Sequence, residues 1–72
     1  MMVSAEFKQR FRELVEPLGI TKPKHAQMLR IPYQAFLNAY TVGKVPTIRH
    51  LLQIADYFDV SLDYLLGRTD EK

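Results

Sequence analysis

Only "RIP", residues 30–32, joins two helical segments in the middle of this 72-residue chain. The upstream segment opens on Thr21, whose hydroxyl suits the free N–H groups of a helix start. Pro23 falls within the first turn, where its missing donor has no intrahelical partner anyway. Ala26 and Leu29 then face inward. The downstream segment runs from about Pro32 to Tyr40, with Ala35, Phe36 and Ala39 at the spacing of one buried helical face. So short a connection forces the second helix to cross the first sharply, which is a helix-turn-helix.

Strand signals are weak elsewhere, and apolar residues recur every three or four positions, so the chain reads as all-α with five helices. The first is expected from an N-cap at Ser4, with Phe7, Phe11, Leu14 and Val15 inward and Lys8, Arg10, Arg12 and Glu13 in solvent. Pro17 and Gly19 stop it. Thr47 is expected to cap a fourth helix with a buried stripe of Ile48, Leu51, Leu52, Ala55 and Phe58, leaving Arg49, Gln53 and Asp56 outside. Ser61 caps a fifth, "LDYLL", and Gly67 follows it as the left-handed residue. The expectation is a single domain over residues 1–72, with its core at about 7–67 and a frayed tail at 68–72.

With no cysteine, neither disulfides nor thiolate metal sites can staple such a fold, and helix packing must supply its stability. A cytoplasmic location fits that composition. The first residues build no apolar run of signal-peptide length, and no segment is apolar enough to span a membrane. Charge is unevenly spread. From Ile20 to His50 there are Lys22, Lys24, Arg30, Lys44 and Arg49 and no Asp or Glu, a local +5. Residues 51–72 hold five carboxylates against Arg68 and Lys72, a local −3. A carboxylate-free stretch is what the surface of a polyanion would select.

From about Phe7 to Asp70 the chain resembles the lambda repressor and Cro type of helix-turn-helix domain, the XRE family. "PTIRHLLQIADYFDVSLDYLLGRTD", Pro46 to Asp70, is similar to the family's last two helices. "GIT" at Gly19–Thr21, Ala26, Leu29 and Ile31 match its helix-turn-helix. The sequence departs from the pattern where Arg30 stands for the turn glycine, Pro32 for a Ser or Thr cap, Lys22 for a Gln, and Val42 for the loop glycine, with Gly43 one residue late. The resemblance implies a five-helix lambda-repressor-like fold and a small bacterial or phage repressor. Its third helix would read the major groove of double-stranded DNA, and the protein would act as a homodimer.

By that register Tyr33 and Gln34 face base edges, with Asn38 one turn on and Leu37 beside it. Gln and Asn each pair bidentately with adenine, Tyr33 suits a phosphate or thymine-methyl contact, and Leu37 suits a thymine methyl. Phosphate clamps are expected from Thr21, Lys22 and Lys24 at the start of the second helix, from Thr41 and Lys44 in and beside the "TVGKV" loop, and from Arg49. Tyr57, Tyr64, Leu65 and Leu66 exceed what a small core should bury and are the expected dimer surface. Neither Leu37 nor Tyr40 is accounted for by packing; Leu37 has the base-edge place just given, and Tyr40 has none. The alternative is a protein-interaction module on the same fold, an antirepressor or antitoxin-type regulator, in which Tyr33, Leu37 and Tyr40 form a sticky patch and DNA binding is weak or lost. His25 and His50 lack a carboxylate or second histidine at ligand spacing, and no nucleophile elbow, phosphate-cradling loop or paired acid is present. Neither an enzyme nor a metal, cofactor or small-molecule ligand is implied.

Overall fold

The computed structural model describes residues 2–72. Among the described residues the chain forms five helices: α1 (Met2–Val15), α2 (Lys22–Leu29), α3 (Tyr33–Thr41), α4 (Ile48–Phe58) and α5 (Leu62–Leu65), with a 3-10 turn at Glu16–Leu18 after α1. Among the described residues there is no strand. Aromatic side chains join the helices. Phe7 and Phe11 stack along α1 at 5.7 Å, and Phe11 meets Phe36 of α3 edge-on at 5.3 Å. All three rings are fully buried, each contributing about 1.5–3 kcal/mol through its loss of contact with water. Leu29, Ile54 and Leu65 complete the centre from α2, α4 and α5.

Both helix-turn-helix corners are built alike. At the end of α2, Arg30 takes a left-handed backbone (φ 60°) and the Ile31 N–H bonds back to the Ala26 carbonyl at 3.1 Å. At the end of α4, Asp59 does the same (φ 56°) and the Val60 N–H reaches the Ala55 carbonyl at 3.0 Å. This closure satisfies carbonyls that the helix leaves over.

Several sequence expectations need correction. Ser4 is not an N-cap, because α1 already contains it. Its hydroxyl instead donates to the Gly43 carbonyl at 2.7 Å and ties the α3–α4 loop to α1. Gly43 is buried with φ 76°, and a Cβ there would come within 2.6 Å of the Ser4 carbonyl oxygen, so this late glycine is what lets the loop close. Thr21 and Thr47 precede α2 and α4, but neither side chain makes a capping bond. Ser61 does, accepting from the Tyr64 N–H at 3.0 Å.

In α4 the buried stripe is Leu51, Ile54 and Ala55, with Phe58 half-buried. Ile48 and Leu52 are 62% and 45% exposed, because α4 is covered along one narrow line and these two residues lie at its end and its edge. Arg10 and Arg12 do not stand in solvent. Arg10 lies 4.3 Å from the Tyr64 ring centre, donates to the Thr69 carbonyl at 3.1 Å and pairs with Asp70 at 2.9 Å. Arg12 donates to the Tyr40 carbonyl at 2.8 Å. Residues 68–72, expected to fray, fold back along this route, and the Ser61 N–H closes on the Lys72 carbonyl at 2.7 Å.

Candidate nucleic-acid interface

At about 100° per residue, an α-helix carrying Phe36 and Ala39 on its buried side must turn residues 33, 34, 37, 38 and 41 the other way. The structure agrees: Tyr33, Gln34 and Thr41 are exposed, and Leu37 and Asn38 are half-buried. Gln34 and Asn38 share a side-chain hydrogen bond of 3.0 Å, one turn apart, so their amides form one polar patch. Thr41 turns its hydroxyl back onto the Leu37 carbonyl at 2.7 Å.

Both long edges of this strip carry a cation. On one edge stands Tyr40, whose ring lies 6.2 Å from that of Phe36 and nearly parallel to it, with the Lys22 ammonium 4.8 Å from its centre. On the other edge a cleft of about 270 Å³ opens beside Asn38, bounded by Lys44, Val45 and Pro46 of the loop and by Thr47 and His50 at the start of α4. The Lys44 N–H bonds to the Asn38 carbonyl at 3.1 Å, which fixes the loop against α3. The site therefore brings together Tyr33, Gln34, Leu37, Asn38, Lys22 and Lys44. Thr21 precedes α2 beside Lys22. Lys24 and Arg49 are exposed in the first turns of α2 and α4, and among the described residues no hydrogen bond or ion pair ties either to α3.

Tyr40, left without a role by its sequence position, is a strut. Its hydroxyl donates to Glu16 at 2.6 Å, a bond that holds the phenol above its ordinary pKa. Arg12 covers the same ring at 4.4 Å. The basic run from Ile20 to His50 thus acquires a carboxylate in space, with Glu16, Arg12 and Lys22 all meeting Tyr40. Sequence reasoning missed this because Glu16 lies 24 positions from its partner.

The expected dimer set divides. Tyr64 and Leu65 are buried and present no surface, Leu66 is half-buried against the core, and Tyr57 alone is well exposed, at 40%. A four-residue α5 packed between α1 and α4 spends its large side chains inward. His25 is fully buried, tilted 5.7 Å from Phe36 and 5.8 Å from Phe58, with neither ring nitrogen hydrogen-bonded. Burial lowers its pKa.

No family model matches the chain, and no solved structure matches it significantly. It is similar to an uncharacterized HTH-type transcriptional regulator of Bacillus subtilis, YobD. The two are 32% identical over 63 residues, covering 88% of this chain and 56% of that protein. The chain therefore spans little more than half the length of that relative.

Proposed function

We propose that this chain is a helix-turn-helix DNA-binding regulator that lays α3 in the major groove of duplex DNA. Its lambda repressor-like architecture would serve a small bacterial or phage repressor acting without catalysis in the cytoplasm. The observation that carries this reading is the outward strip of α3, two hydrogen-bonded amides beside a tyrosine, with Lys22 on one edge and Lys44 on the other. Phosphate contacts fix a protein's register on the duplex, and amides at base edges select sequence. Gln34 and Asn38 are the proposed adenine readers, with Tyr33 and Leu37 beside them. Lys22 and Lys44 are the principal phosphate clamps, and Thr21, Lys24, Thr41 and Arg49 stand around them. Resemblance to a transcriptional regulator supports the same class. A single reading helix covers few base pairs, so the working form is a homodimer on paired half-sites.

A second reading rests on the exposure of Tyr33, Val42 and Ile48, at 46%, 66% and 62%. These apolar side chains would suit a protein partner. Salt separates the two. Four phosphate clamps per subunit predict log affinity falling against log salt with a slope of about −3.6, and Lys22→Ala with Lys44→Ala should halve it. Binding that ignores salt and both substitutions would transfer the function to a protein partner. Gln34→Ala should cost about 1–3 kcal/mol on the selected site and nothing on random DNA.

A further inference from the structure

On the solvent side of the seam between α2 and α4 lies an open groove of about 320 Å³. Met28 and Tyr57 form its apolar walls, 38% and 40% exposed. Arg30 stands on its rim at the end of α2, and Asp56 on the α4 side. Both are exposed, and the ion pairs among the described residues, Arg10–Asp70 and Arg68–Asp63, leave the two without partners. Gln53 also lines the groove, and its side-chain oxygen is shut off from solvent without accepting any hydrogen bond.

An occupant that matched this groove would bring positive charge for Asp56 and an aliphatic stem to lie along Met28 and Tyr57. An arginine side chain supplies both, since its guanidinium is a cationic planar fork of donors on an apolar stem. The groove carries such a side chain on its own rim. Under a two-fold axis, the Arg30 of each copy enters the groove of the other, and the contact is satisfied twice by the same residues, as a closed symmetric dimer requires. We infer that the α2–α4 groove is a self-association surface for a second copy of this chain, held by reciprocal Arg30–Asp56 pairs. The inference deepens the homodimer reading and moves its surface from α5 to this seam, keeping Tyr57 alone of the four expected residues. It does not depend on the DNA reading, so the two fail separately.

Sedimentation of the full chain without DNA, at up to about 1 mM, reaches even a weak interface. Wild type should self-associate. Arg30→Asp, chosen because aspartate tolerates the left-handed backbone, and Asp56→Arg should each raise the dissociation constant at least about tenfold, and the double variant should return it to within about threefold. A wild type that is monomeric throughout, single variants that associate normally, or a folded double variant without recovery overturns the inference. Should the double variant lose its helical circular dichroism, cross-linking decides. In this cysteine-free chain, Met28→Cys should oxidise to a disulfide-linked dimer well ahead of Thr41→Cys on the α3 strip. Equal rates at the two positions overturn the inference. Salt-sensitive DNA binding by a monomeric chain would remove the groove and leave the regulator reading intact.

Discussion

The chain makes the same corner twice and finishes it differently each time. "HAQMLRIP" and "IADYFDVS" superpose by role: Ala26 with Ala55 as the carbonyl that accepts the returning N–H, Leu29 with Phe58, Arg30 with Asp59 in the left-handed position, and Ile31 with Val60 as the buried residue after it. One step before each alanine stands a fully buried side chain, His25 in α2 and Ile54 in α4. After the turn the second corner has Ser61, which caps α5, and the first has Pro32, which caps nothing. At three slots, His25 against Ile54, Arg30 against Asp59 and Pro32 against Ser61, the α4–α5 corner holds the residue that favours stability. The α2–α3 corner, which carries the proposed reading strip, holds an unpaired histidine, an arginine in a strained backbone and an uncapped helix start. Strain and unmet polar groups tend to gather where a surface is kept for a partner.

The largest test removes the buried anchors of the two corners. Ile31 is 6% exposed and Val60 is 9% exposed. Ile31→Ala should cost about 3 kcal/mol in urea unfolding, and Val60→Ala about 1 kcal/mol less, since it removes one methylene fewer. A larger loss at Val60 would mean that the second corner, not the first, organises the fold.

Next comes pH. His25 is buried without hydrogen-bond partners, and its folded-state pKa lies below the unfolded value of 6.5. The unfolded chain therefore binds the proton more readily. Stability from this group is complete above pH 6.5 and declines as pH falls toward the lowered folded value. The slope from one such group reaches at most about 1.4 kcal/mol per pH unit. His25→Ile, which copies the Ile54 slot, should flatten the urea midpoint between pH 7 and 5 relative to wild type. An unchanged pH profile would place the acid sensitivity in the carboxylates instead.

These corners also show what the sequence could disclose. Helix number and order were legible because turn residues and apolar spacing are local signals. The outward set on α3 was expected from the register that the family resemblance implies, and its buried set agrees with it by helix geometry. Long-range partners were not legible: Arg10 and Arg12 look like surface cations until α5, the tail and the end of α3 come to lie over α1. Tyr64 and Leu65 looked like surplus apolar area because a single-sequence reading cannot weigh how much of a four-residue helix its neighbours cover. Glu16 entered the α3 edge for the same reason.

A smaller effect separates the two starts. Ser61→Ala removes the bond to the Tyr64 N–H and should cost about 1 kcal/mol, seen as a lower midpoint with an unchanged slope in urea. The matching change in the first corner, Pro32→Ala, removes no cap, so its cost should be confined to the few tenths of a kcal/mol by which proline restricts the unfolded chain.

The smallest effects concern the left-handed residues themselves. A side chain at positive φ costs roughly 1–2 kcal/mol, and aspartate offsets part of that by local hydrogen bonding, whereas glycine loses about 0.5–1 kcal/mol through its freer unfolded state. Arg30→Gly should therefore stabilise by about 0.5 kcal/mol, and Asp59→Gly should be near neutral. If Arg30 were retained only as a tolerated surface residue, the glycine variant would gain this stability at no functional cost. If it is kept for the groove, the same variant should be more stable as a monomer and weaker in self-association, so that stability and assembly move in opposite directions at one position.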